Sequence, residues 1–119
     1  MDNTGDFYSL NMGSIPVRRT NIFTKLTNMM NSRLNEILVI AQEEAAEVIQ
    51  EISKCFRFGI NTEDRSGVLH RERLEQEIAD FLVMVDLLEE EGVVTENGIT
   101  AAKLRKVKKL QVWSKIYRT

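Results

Sequence analysis

Four acids carry the chemistry of this chain. Glu44 and Glu47 are three residues apart, and so are Glu77 and Asp80. Residues three apart are neighbours on a helix surface, so each pair presents two carboxylates side by side. The pairs also share a register. Ile37, Ile40, Glu44, Glu47 and Glu51 step by 3 and 4 just ahead of an apolar stripe, and Arg73, Glu77, Asp80, Met84 and Leu87 do the same further on. Two helices packed antiparallel through those stripes would set the pairs face to face. Like charges a few ångströms apart repel by on the order of several kcal/mol per pair at an effective dielectric of about 20, and a bound cation removes that cost. Oxygen-only donors select Mg²⁺ or Mn²⁺, and Mg²⁺ keeps positions for water and substrate phosphates. The chemistry that fits is phosphoryl chemistry. A generic Glu-rich helix is a solvated face, but one offset shared by two helices favours a site.

Other chemistries fall away on residue count. A di-iron carboxylate bundle needs Glu-x-x-His on two helices, and the one histidine, His70, is preceded three residues earlier by Gly67. His70 reads as structural. The lone Cys55 makes neither an intrachain disulfide nor a cysteine metal site, and it too reads as structural.

The elements that must position the acids are helical. In 119 residues there are 6 Gly and 1 Pro, too few for the turns of a sandwich or barrel. Hydrophobic residues at 43% and charged residues at 29% are ordinary for a folded globule. The length suits one domain, with an irregular arm over 1–19 and a helical domain over 20–119. A first helix is expected from Thr20 or Asn21, with Ile22, Phe23, Leu26, Met29 and Met30 at helical spacing, and Ser32 marking its cap or kink. A second runs from about Arg33 to Phe58 on a stripe of Leu38, Ala41, Ala45, Val48, Ile52 and Cys55, stopped by Gly59. After a loop from Ile60 to His70, a third runs from about Arg71 to Glu91 on Leu74, Ile78, Phe81, Val85 and Leu88, ended by Gly92. Thr100 can cap a fourth. The expected fold is all-α, an antiparallel four-helix-type bundle.

At this point the residues resemble a known family. Glu43-Glu44-Ala45-Ala46-Glu47 followed by Glu77-Ile78-Ala79-Asp80 is similar to the EExxE…ExxD signature of the MazG-like, all-α nucleoside triphosphate pyrophosphatases, over roughly residues 20 to 110. The segment AQEEAAEVIQEISKCFRFG resembles the short, phage-borne members most. The resemblance implies metal ligation by Glu44, Glu47, Glu77 and Asp80, with Glu43 supporting them. It also implies cleavage of the α–β phosphoanhydride of a nucleoside triphosphate, giving the monophosphate and pyrophosphate. Those members act on deoxynucleotide pools, some with a purine preference, so dGTP or GTP is the expected substrate. Glu47 is the residue expected to activate the attacking water, with Glu43 the alternative, since a base must reach that water.

Charge is segregated along the chain despite a net −2. Residues 34 to 53 hold five Glu and no Lys or Arg, whereas residues 97 to 119 hold Lys103, Arg105, Lys106, Lys108, Lys109, Lys115 and Arg118 and no acid. Lys106 and Lys109 share a helix face and are candidates for phosphate contacts, as is Arg57. The negative net charge argues against nucleic acid as the partner. Phe56 and Phe58 read as core rather than as a base-stacking pair. The longest apolar runs have five residues, far short of a membrane span, and no basic-then-apolar leader opens the chain, so cytoplasmic residence is expected, in a host cell if the chain is phage-encoded. A homodimer or homotetramer is expected, because so small a bundle leaves apolar surface uncovered. Trp113 and Tyr117 suit a packing or subunit contact. Two rival readings remain: a non-catalytic helical interaction protein, and hydrolysis of phosphoribosyl-ATP within the same superfamily. Metal-dependent stability separates the first, and substrate competition the second.

Overall fold

The computed structural model describes the backbone of residues 17–118 and the side chains of Ile22 and of residues 32–118. Two compact units divide the chain, Met1–Arg33 and Leu34–Thr119. The described residues form three α-helices and no named strand: α1 (Val17–Phe58), α2 (His70–Glu90) and α3 (Glu96–Trp113). The all-α expectation holds, with three helices among the described residues where four were expected. The expected break at Ser32 lies inside α1. Val17 to Phe58 contains neither Gly nor Pro, and a Ser or Asn costs a helix interior only a few tenths of a kcal/mol, roughly. The expected arm over 1–19 falls outside the described residues as far as position 16, and Val17–Arg19 are helical. Of the apolar positions expected in the first helix, Ile22 is exposed and the others lie outside the described side chains.

The last helix starts at Glu96, capped by Thr95 instead of Thr100. The Thr95 hydroxyl oxygen accepts the Gly98 N–H at 2.9 Å. A Cβ at 98 would lie 2.8 Å from the same oxygen, so a larger residue there would make the Thr95 side chain shift. Gly92, at φ +77°, reverses the chain after α2. Its N–H reaches the Glu89 carbonyl and the Val93 N–H the Leu88 carbonyl, the paired bonds of a Schellman stop.

Within residues 34–119, α1 and α2 are antiparallel neighbours stacked in three tiers. Ile37 and Ala41 of α1 bury against Met84 of α2, with Ile40, Leu87 and Leu88 packed around them. Next come Glu44 of α1 and Glu77 and Asp80 of α2. Last, Phe58 at the end of α1 stacks on His70 at the start of α2, centroids 5.4 Å apart. Of the stripe expected on α1, Ala41 is buried and Ala45, Val48 and Cys55 are half-buried, while Leu38 and Ile52 are 45% and 42% exposed and Ile37 takes the buried place next to Leu38. One residue is about 100° of helix, enough to exchange seam for surface. Of the acids, Glu44 and Glu77 are half-buried between the helices and Asp80 is exposed.

The α1–α2 connection is tied by Asp64. Its Oδ1 accepts the N–H of Ser66 at 2.8 Å and of Val68 at 3.1 Å, and its Oδ2 accepts Arg73 Nε at 2.7 Å. The His70 N–H donates to the Thr62 carbonyl and the Arg71 N–H to that of Ile60. Glu72 Oε1 accepts the Leu69 N–H at 3.1 Å, satisfying a donor at the start of α2. These bonds fix where α2 begins, and so the heights at which Glu77 and Asp80 meet α1.

Candidate metal centre

Glu44, Glu77 and Asp80 each place a carboxylate oxygen within 4.8 Å of the other two. Glu44 comes from α1, while Glu77 and Asp80 lie one turn apart on α2, so the cluster exists only because the helices pair. Glu44 and Glu77 are half-buried and Asp80 is exposed, which leaves the cluster open on one side. Glu47 stands outside the three-oxygen set, exposed, but close enough to act on Glu77. Glu43 is exposed.

Electrostatics single out Glu77. Desolvation raises its carboxyl above the ordinary 4.5, and the charges of Glu47, Asp80, Glu44 and Glu51 push it the same way. Four carboxylates from two helices thus bear on Glu77. A hard divalent cation fits this donor set, since oxygen ligands without nitrogen or sulfur suit Mg²⁺ or Mn²⁺, and positive charge would relieve the repulsion at Glu77.

The proposed phosphate contacts are more scattered. Lys106 and Lys109 are both exposed on α3, and no hydrogen bond or ion pair joins either to the carboxylates among the described residues. Arg57 is exposed, its guanidinium lying 4.9 Å from the Phe58 ring centroid. Phe56 is 88% exposed, against the expectation of core, and Phe58 is exposed on the wall of a cavity. Trp113 and Tyr117 are exposed, and Cys55 is a half-buried free thiol.

Two residues outside the expected set are buried. Glu51 is 7% exposed and His70 5%. Spacing could have pointed to Glu51, which continues the face of Glu44 and Glu47. For His70 the sequence holds no such signal, because its burial depends on the turn that Asp64 organises. No protein-family model, curated protein or solved structure matches the chain. Among the described residues, no helix is long and apolar enough to cross a membrane.

Proposed function

We propose that the chain is a metal-dependent nucleoside triphosphate pyrophosphohydrolase acting on the nucleotide pool, cleaving the α–β phosphoanhydride, with dGTP or GTP favoured. The observation that carries this reading is the meeting of Glu44, Glu77 and Asp80 oxygens across two helices, around a carboxyl whose proton affinity is raised. Those three residues hold the cation, with Glu47 the fourth carboxylate within reach. A Mg²⁺ or Mn²⁺ ion bound there supplies positive charge against the triphosphate and makes water easier to deprotonate. Glu47 accepts the proton of the attacking water at its carboxylate, Glu43 being the alternative base. The only histidine is stacked on Phe58, so a histidine-activated nucleophile is not part of the scheme, and water attacks directly. Water supplies one oxygen to the α-phosphorus, the bond to the bridging oxygen breaks, and monophosphate, pyrophosphate and a proton leave. Hydrolysis in heavy-oxygen water should label the monophosphate and leave pyrophosphate unlabelled. Label confined to pyrophosphate puts attack at the β-phosphorus and removes the assignment.

The basic face of α3 belongs to the same reading as a contact for the triphosphate. Changing Lys106 and Lys109 together to Ala should raise KM about tenfold with kcat little altered, the pattern of lost ground-state contacts. Unchanged kinetics would mean that this face is merely solvated. The apolar side chains of Leu38, Ile49, Ile52 and Phe56, exposed on α1, support a homodimer or homotetramer.

A further inference from the structure

At the far end of the seam from the apolar tier, Glu51, Lys54, Phe58, Thr62 and His70 line a cavity of about 630 Å³. That is within the size range of small-molecule sites, which pair flat apolar walls with a few placed polar groups. Glu63 and Arg65, both exposed, complete its lining together with Asp64, and several of the other polar groups are already used. The Thr62 hydroxyl lies 2.6 Å from the Phe58 carbonyl oxygen and 2.7 Å from that of Gly59, and the Asp64 carboxylate is held by Ser66, Val68 and Arg73. Two buried atoms are not used. Glu51 Oε1 accepts from Lys54 Nζ at 3.3 Å, but its Oε2 has no hydrogen-bond partner among the described residues, nor has His70 Nδ1. A buried carboxylate oxygen left bare is costly, and what it takes is an N–H or O–H donor. It repels an anion. A neutral group that carries donors therefore suits Glu51 Oε2 better than a phosphate does, and the cavity stands on α1 one turn beyond Glu47.

We propose that this cavity reads the base of the nucleotide, with Glu51 selecting bases that present N–H donors and His70 Nδ1 making the second polar contact. Guanine fits best because its ring N1–H and amino group are adjacent donors, which a carboxylate accepts as a pair. Lys54 is half-exposed and free to release Oε1 to the second donor. Adenine and cytosine offer one donor beside an acceptor, and thymine sets carbonyls on both sides of its single N–H. The assignment rests on the chain being a nucleotide hydrolase, yet it can be tested without turnover.

The imidazole resonances of His70 are those of the chain's one histidine, so they report on the cavity without ambiguity. Titrating the wild-type protein with the four deoxynucleosides, free of phosphate and metal, should shift them with deoxyguanosine most and thymidine least. Glu51→Gln should weaken deoxyguanosine binding by about tenfold or more and lower the dGTP-to-dTTP ratio of kcat/KM equally, because a site built to accept a donor loses discrimination with its acceptor. Resonances that move with no nucleoside, or equally with all four, overturn the proposal, and this titration depends on no variant folding. Hydrolysis of triphosphates with His70 unmoved refutes the base pocket and keeps the hydrolase. Selective nucleoside binding with no hydrolysis of any triphosphate does the reverse.

Discussion

Glu77→Gln should lower the metal-stimulated rate of triphosphate hydrolysis by on the order of a thousandfold, beyond the roughly ten- to hundredfold that losing an outer-shell partner costs a metal site. Glu77 is where four other carboxylates bear, so it gains most from a cation and its amide binds one least. The same substitution should make the metal-free protein more stable, because it removes a desolvated charge from the field of Glu47, Asp80, Glu44 and Glu51. A variant that loses activity and gains stability identifies a ligand, whereas a structural residue loses both. Glu44→Gln and Asp80→Asn should follow in activity. Full turnover in any of the three, measured with far-UV circular dichroism confirming the helices, removes the metal centre.

Magnesium or manganese should raise the melting temperature of the wild-type protein. An ion at a hundred times its Kd adds about 2.7 kcal/mol. For a domain of roughly 60–100 residues, each kcal/mol is worth about 4–8 °C, so a shift on the order of 10 °C or more is expected. The effect depends on pH with a definite sign. Glu77 has a folded-state pKa raised above 4.5, so the metal-free protein loses stability as pH rises from that value through the raised one. Over the same window the proton ceases to compete and the cation binds more tightly. The metal-induced shift should thus be small near pH 4.5, grow toward neutrality, and shrink at every pH in Glu77→Gln. A shift independent of pH, or equal in the variant, places the ion elsewhere.

Periodicity made the helices around the acids legible, and the matched spacing of Glu44 with Glu47 and of Glu77 with Asp80 pointed to a shared locus. It did not say which side faces inward. Ala41 of the expected stripe is buried, but Ile37 and Leu38 are equally apolar neighbours, and only pairing with α2 chooses Ile37 for the inside. That choice leaves Leu38 outside, and further along Glu51 is buried instead of Ile52. An apolarity pattern cannot anticipate that, because it assigns carboxylates to solvent. Thr95 was hidden for a different reason: the glycine at 98 reads as a helix breaker when met alone, whereas its N–H is the donor that the cap accepts. Long-range consequences of a turn, such as the burial of His70, are not written in local spacing at all.

The turn between α1 and α2 responds to acid differently from the centre it positions. Arg73, first of all, and then the Val68 and Ser66 amides hold the Asp64 carboxyl at about 2, below its ordinary 3.8. A group depressed in this way contributes stability that is complete above 3.8 and fades only as the pH falls through about 2. Glu77 takes up its proton above 4.5. The molecule therefore has an order of failure. If the proposed cation is bound, mild acid would discharge it while the knot at Asp64 still keeps α2 at its height against α1, so what would be lost is the cargo and not the cradle. Return to neutral pH would then require recapture of that ion, with no refolding of this turn.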